Sequence, residues 1–142
     1  MAITSAICTS FKQEILVGTH NLTASSGDTF KLALFTSSAT LGASTTAYST
    51  SNEVSGTGYS AGGTTLTSVT PVLDSSTAVC DFSDVSFTSA SFTANGCLIY
   101  NSSQSDKAVA VIAFGGDKTV SSGTFTIQFP TADAFNAIIR IA

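Results

Sequence analysis

Beyond Gly27 the chain is cut into short runs whose apolar residues recur at every second position, and that period describes strands. Phe30-Lys31-Leu32-Ala33-Leu34-Phe35 sets Phe30, Leu32 and Leu34 on one side, and Phe125, Ile127 and Phe129 alternate with Thr124, Thr126 and Gln128. Further runs fall at residues 64–70, 77–82, 96–101, 108–114 and 136–142. The run 108–114 is apolar on both faces and reads as a central strand. Gly115-Gly116-Asp117-Lys118 and Asp133-Ala134 read as connections, and Pro71 and Pro130 as strand ends, where a missing N–H is tolerated. About seven or eight short strands separated by turn signals predict a mainly β chain, an antiparallel β-sandwich or jelly-roll-like domain.

The first twenty residues follow another period. Ile3, Ile7, Phe11 and Ile15 recur every fourth position, which predicts one short N-terminal helix over about residues 3–17, stopped by Gly18. Thr4, Ser5, Thr9 and Ser10 weaken its first half, because their hydroxyls compete for backbone partners, so the start falls anywhere from Ile3 to Ser10. Residues 28–142 carry the sandwich. Within them, residues 37–63 form a long Ser/Thr/Gly-rich excursion in which Tyr48, Asn52, Glu53, Val54 and Tyr59 are embedded. A structureless loop of that length is uncommon in a compact domain, so the stretch reads as an ordered excursion making contacts to itself or to a partner. Tyr48, Asn52, Glu53 and Tyr59 are its candidate partner-interface residues.

A chain of 142 residues is one domain, 1–142, and buries about two thirds of its extended surface without disulfide staples. The charge balance then excludes classes of function. Five cations in the chain and a net charge of −4 supply no phosphate-binding face, so nucleic acid is not an expected partner. The longest apolar run, 108–114, is far short of a bilayer span, and the opening residues show no positively charged leader, so no membrane is expected. Cys8, Cys80 and Cys97, an odd number with no C-x-x-C spacing, read as reduced, buried thiols of a protein made in a cytoplasm, not as zinc ligands.

Several patterns resemble chemistry without supplying its context. Gly58-Tyr59-Ser60-Ala61-Gly62 matches the G-x-S-x-G nucleophile elbow, but the residues after it are β-like and the single histidine, His20, precedes the serine. Gly56-x-Gly58-x-x-Ala61 matches a dinucleotide fingerprint without the preceding strand or following helix. Asp81 alternates outward from Cys80 and Phe82, which places it on a solvated strand face beside Asp84; with Asp74 they lack the regular oxygen-ligand spacing of a calcium loop. His20, just past Gly18, reads as a cap on helix carbonyls. No catalytic, metal or cofactor-binding residue is assigned, and the chain is expected not to be an enzyme.

Only 10% of the residues are charged, where roughly a quarter is usual, and Ser and Thr at roughly a third of the chain take their place. Short hydroxyl side chains lose little rotamer entropy when covered, so such a surface suits a subunit embedded in an assembly. The stretches 30–36, 52–59 and 61–63, with Leu98-Ile99-Tyr100-Asn101 and the ending at residues 136–142, resemble small virion structural proteins of tailed bacteriophages. The resemblance implies a non-enzymatic virion subunit, a head decoration or cement protein that stabilises the capsid. Its partners would be the major capsid protein or other virion proteins and further copies of itself, with a trimer favoured at three-fold seams. The alternative is a tail, fibre or knob component that touches the host surface as a lectin-like adhesin. No residue role transfers with the resemblance.

Overall fold

In a computed structural model, which describes residues 2–142, nine elements follow one another. They are β1 (Ala6–Ile7), α1 (Thr9–Leu16), β2 (Phe30–Phe35), β3 (Thr64–Thr65), β4 (Ser68–Asp74), β5 (Thr77–Phe82), β6 (Val85–Asn101), β7 (Lys107–Ile127) and β8 (Ile139–Ile141). Five strands form one antiparallel sheet in the order β1-β7-β6-β2-β3, and three form a second, β4-β5-β8. Strand accounts for 49% of the chain and helix for 6%, so the mainly β, sandwich-like class holds. The accessible surface is 6975 Å², against about 6,800 Å² expected for a folded chain of this mass.

The core forms where the sheets meet. Phe30 of β2 and Phe82 of β5 bring their ring centroids to 5.9 Å, and Phe82 meets Phe129 at 5.7 Å. β2 is buried on both faces: Leu32, Ala33 and Leu34 are wholly inaccessible, because one face meets the core while the residue 37–63 excursion covers the other. β6 and β7 make one long hairpin, paired from Val85↔Ile127 to Asn101↔Lys107.

Several expectations from the sequence are corrected by the fold. The N-terminal segment is a strand before it is a helix. Cys8 has extended dihedrals, Ala6 and Ile7 pair with Val111 and Ala110, and α1 begins only at Thr9. The inward stripe is real, since Ile3, Ile7, Phe11 and Ile15 all pack on the core, but the open edge of β7 offers residues 6–7 better backbone partners than a Ser/Thr-rich helical turn. Gly115-Gly116 is not a connection. The pairing runs from Gly96↔Ala113 to Ala94↔Lys118, so residues 114–117 form a bulge inside β7, with Gly115 at φ 76. Residues 85–95, unassigned by periodicity, are strand because β7 pairs with them along most of their length. The run 64–70 divides between β3 and β4, and Pro71 lies inside β4, an edge strand, where the ladder slips between Val69 and Val72. The run 136–142 narrows to β8.

Candidate functional site

The excursion folds back along the free edge of β2 and closes it. Val54 N–H donates to Leu34 C=O (2.9 Å), Thr36 N–H to Asn52 C=O (3.0 Å) and Leu66 N–H to Phe30 C=O (2.8 Å). Between them the Leu34 N–H finds no strand partner and donates instead to the Tyr59 hydroxyl at 2.9 Å. That hydroxyl in turn donates to Glu53 Oε1 at 2.6 Å, and Glu53 also accepts from the Gly62 N–H (2.8 Å) and, through Oε2, from Tyr48 (2.7 Å). Tyr48 stacks on Tyr100 with centroids 4.5 Å apart, and Tyr100 donates to Gly62 C=O at 2.6 Å.

Three of the four candidate interface residues, Tyr48, Glu53 and Tyr59, are therefore brought together, and their polar atoms serve the chain itself. Asn52 stands apart, exposed at a turn with φ 61. Burial, reinforced by the neighbouring Glu53 carboxylate, pushes the Tyr48 and Tyr59 phenols well above their ordinary range. Burial with the charges of Asp106 and Glu53 takes Tyr100 up to about 12. Phenols held this firmly in the protonated form act as hydrogen-bond donors, not as bases.

A second polar cluster was missed from sequence. His20 does not cap α1: its Nε2 meets Glu14 Oε1 at 2.9 Å and its Nδ1 meets Asn101 Nδ2 at 2.9 Å. The Asn101 amide also donates to Asp28 Oδ2 (2.8 Å), while its Oδ1 accepts the Ser103 N–H (3.0 Å), so the network assigns Nδ1 of His20 as acceptor and Nε2–H as donor. Lys107 reaches Glu14 at 3.6 Å. Desolvation raises Asp28, but hydrogen bonds from Asn101, the Asn21 N–H and Gln104 outweigh it and hold its carboxyl below the ordinary range. The cluster ties α1 and the loop after it to the β6–β7 turn. The only sequence signal for it was a lone histidine followed by asparagine.

Asp81 overturns the solvated-face expectation: it is 1% exposed. Asp81 does point away from Cys80 and Phe82, but that side is not solvated, and the Ile138 backbone N–H approaches the carboxylate and favours its charged form. Oδ1 accepts the Phe82 N–H at 2.9 Å, and Oδ2 has no partner. Burial raises its pKa. A raised folded-state pKa means that stability is complete below the unfolded value and falls as pH rises through the folded one. Asp81→Asn is accordingly expected to raise the melting temperature at pH 7 and to change it little at pH 3. Equal shifts at both pH values in thermal melts would contradict this.

Ser60 sits on an exposed turn, its carbonyl accepting from the Gly63 N–H at 3.0 Å, and β3 rather than a helix comes next. Cys8, Cys80 and Cys97 are free thiols, all buried, and burial pushes them up to about 11, 12 and 12. Among the described residues no group of three or more His, Cys, Asp or Glu side chains is placed to hold a metal ion, and no helix is long and apolar enough to cross a membrane.

The surface carries more than the interior. Leu16, Val17, Leu73, Phe135 and Ile141 are all more than half exposed. A cleft of about 430 Å³ opens between Ala78, Ile139 and Ile141 on one side and Ile15 and Gly18 at the end of α1 on the other. A second groove of about 530 Å³ runs beside β7, walled by Ile112, Phe114, Phe125, Ile127 and Phe129. No family model matches the chain, and no curated protein or solved structure shows significant similarity to it.

Proposed function

We propose that the chain is a non-enzymatic structural subunit of a tailed-phage virion, a decoration or cement protein that sits on the head and strengthens it. The observation that supports this most is the surface: 10% charged residues over the whole chain, with bulky apolar side chains standing out from a sheet framework. Isolated exposed hydrophobes are ordinary, but Leu16 and Ile141 line one cleft, and Ile15, Ile139 and Ile141 are shared with the neighbouring one, and contiguous apolar surface marks interaction sites. The mechanism is adhesive. Copies cover seams between capsid subunits, favour a trimer at three-fold positions, and gain avidity from several weak contacts made as one unit.

Few ion pairs are available to such a contact, so screening has little to act on. Purified protein added to undecorated shells is expected to bind near saturation at both low and high salt and to raise the shells' melting temperature. Absence of binding, with the protein found in isolated tails, would replace this reading by the tail or fibre one. Loss of binding at high salt would show that charge, not neutral surface, makes the contact.

A further inference from the structure

Phe135 is 82% exposed, yet the loop that carries it is among the most firmly built parts of the surface. Asp133 Oδ1 accepts the N–H groups of Phe135 (2.9 Å) and Asn136 (2.8 Å), and the Asn136 amide returns to both carboxylate oxygens. Asp74 Oδ2 accepts the Ala134 N–H at 2.7 Å, and Arg140 donates to the Phe135 carbonyl at 2.8 Å. A connection from β7 to β8 needs none of this to hold a phenyl ring in water. A rigid aromatic anchor is what a docking contact needs, because its ordering cost is met before binding.

The same chain offers a receptor. The groove beside β7 is about 530 Å³, open and walled by aromatic rings, among them Phe114 and Phe125 with centroids 6.0 Å apart. Pro130 and Ile138 line it too, so the loop leaves from the groove and returns to it while its own Phe135 remains in solvent. The rim charges are complementary. Lys118 lines the groove and makes no ion pair among the described residues, and Asp133 lies two residues from Phe135. Hydrogen bonds from Asn136 and the Phe135 N–H hold the Asp133 carboxyl below its ordinary range, so it carries charge into any contact.

We propose that Phe135 is a knob that seats in the β7 groove of a second copy of this chain, with Asp133 of the knob meeting Lys118 at the groove's rim. This knob and groove give the self-association read above a physical contact, and they rest on that reading for the occupant. An added ring in such a groove meets aromatic edges and faces on its sides.

The test uses two variants of the full chain. Phe135→Ala removes the knob and keeps the groove. Gln128→Trp, at an exposed position lining the groove, blocks the groove and keeps the knob. Sedimentation is expected to show the wild type assembling, each variant weakened about 100-fold or more, as loss of a central aromatic anchor implies, and a mixture of the two regaining pairs. Thermal melts near wild type establish that both variants fold. Wild-type assembly that survives Phe135→Ala overturns the contact. A wild type that stays monomeric yet saturates shells overturns it while leaving the capsid reading in place; a wild type that does neither overturns both.

Discussion

Gly63→Ala is expected to be the most damaging small substitution in this chain. At φ +77, a β-carbon on Gly63 would lie 1.8 Å from the Leu32 carbonyl oxygen, 2.6 Å from the Leu32 carbonyl carbon and 2.8 Å from the Ala33 α-carbon. All three are backbone atoms of β2, which is paired along its length with β6, so none can give way cheaply. The chain here lies flat on the strand it is closing, and only a residue without a side chain fits. The left-handed backbone alone costs an alanine about 1–2 kcal/mol. Crowding a packed interior adds about 1–3 kcal/mol, and more where backbone must shift. A total of about 2–5 kcal/mol is a large share of the 5–15 kcal/mol typical of a domain. Gly115→Ala is the matched control: its φ is +76, but nothing lies within 4 Å of the added carbon. Denaturant midpoints should therefore separate the two variants by about 1–3 kcal/mol, the crowding part alone. Equal losses would show that the excursion yields to the added methyl group.

Glu53→Ala should rank close behind. One carboxylate takes hydrogen bonds from the Tyr48 and Tyr59 hydroxyls and from the buried Gly62 N–H. Truncation leaves three donors facing a void. A donor left unsatisfied costs about 1–3 kcal/mol, and Tyr48, partly exposed, recovers some of that from water. The expected loss is about 3–4 kcal/mol in equilibrium unfolding. Because part of what holds the Tyr48 and Tyr59 phenols protonated is Glu53 itself, a spectrophotometric titration of the folded variant should also show tyrosines ionising at lower pH than in the wild type. A loss under 1 kcal/mol would mean that the carboxylate is solvated rather than acting as the hub of the excursion.

The shared target of these two substitutions bears on the candidate interface. The excursion contains the only residues that their sequence context put forward for partner contact, and three of them spend their polar atoms on closing the edge of β2. An open strand edge invites pairing with other chains, and covering it with a side-chain hydroxyl and a short strand is one way of preventing that. Contacts with a partner have more to draw on elsewhere, at Phe135 and along the clefts that Leu16 and Ile141 line.

Local periodicity alone determined the bounds of β2 and β5, the inward stripe of Ile3, Ile7, Phe11 and Ile15, and the side of β5 that Asp81 occupies. Each depends on how a residue compares with neighbours one to four positions away, and that is written in the chain. What the residues meet is not. Residues 6–7 became strand because Ala110 and Val111, a hundred positions on, had a free edge; β7 ran through Gly115 because β6 lay alongside to pair on both sides of the bulge; Asp81 ended buried, with the Ile138 backbone of a distant segment beside its carboxylate. Glu53 read as a partner-interface residue and His20 as a helix cap until folding placed Tyr48, Tyr59 and Gly62 around the one, and Glu14 and Asn101 around the other. Hydrogen-bond partners and solvent cover are properties of distant segments brought together, so only the tertiary structure decides which polar groups are spent internally and which apolar ones remain free to bind.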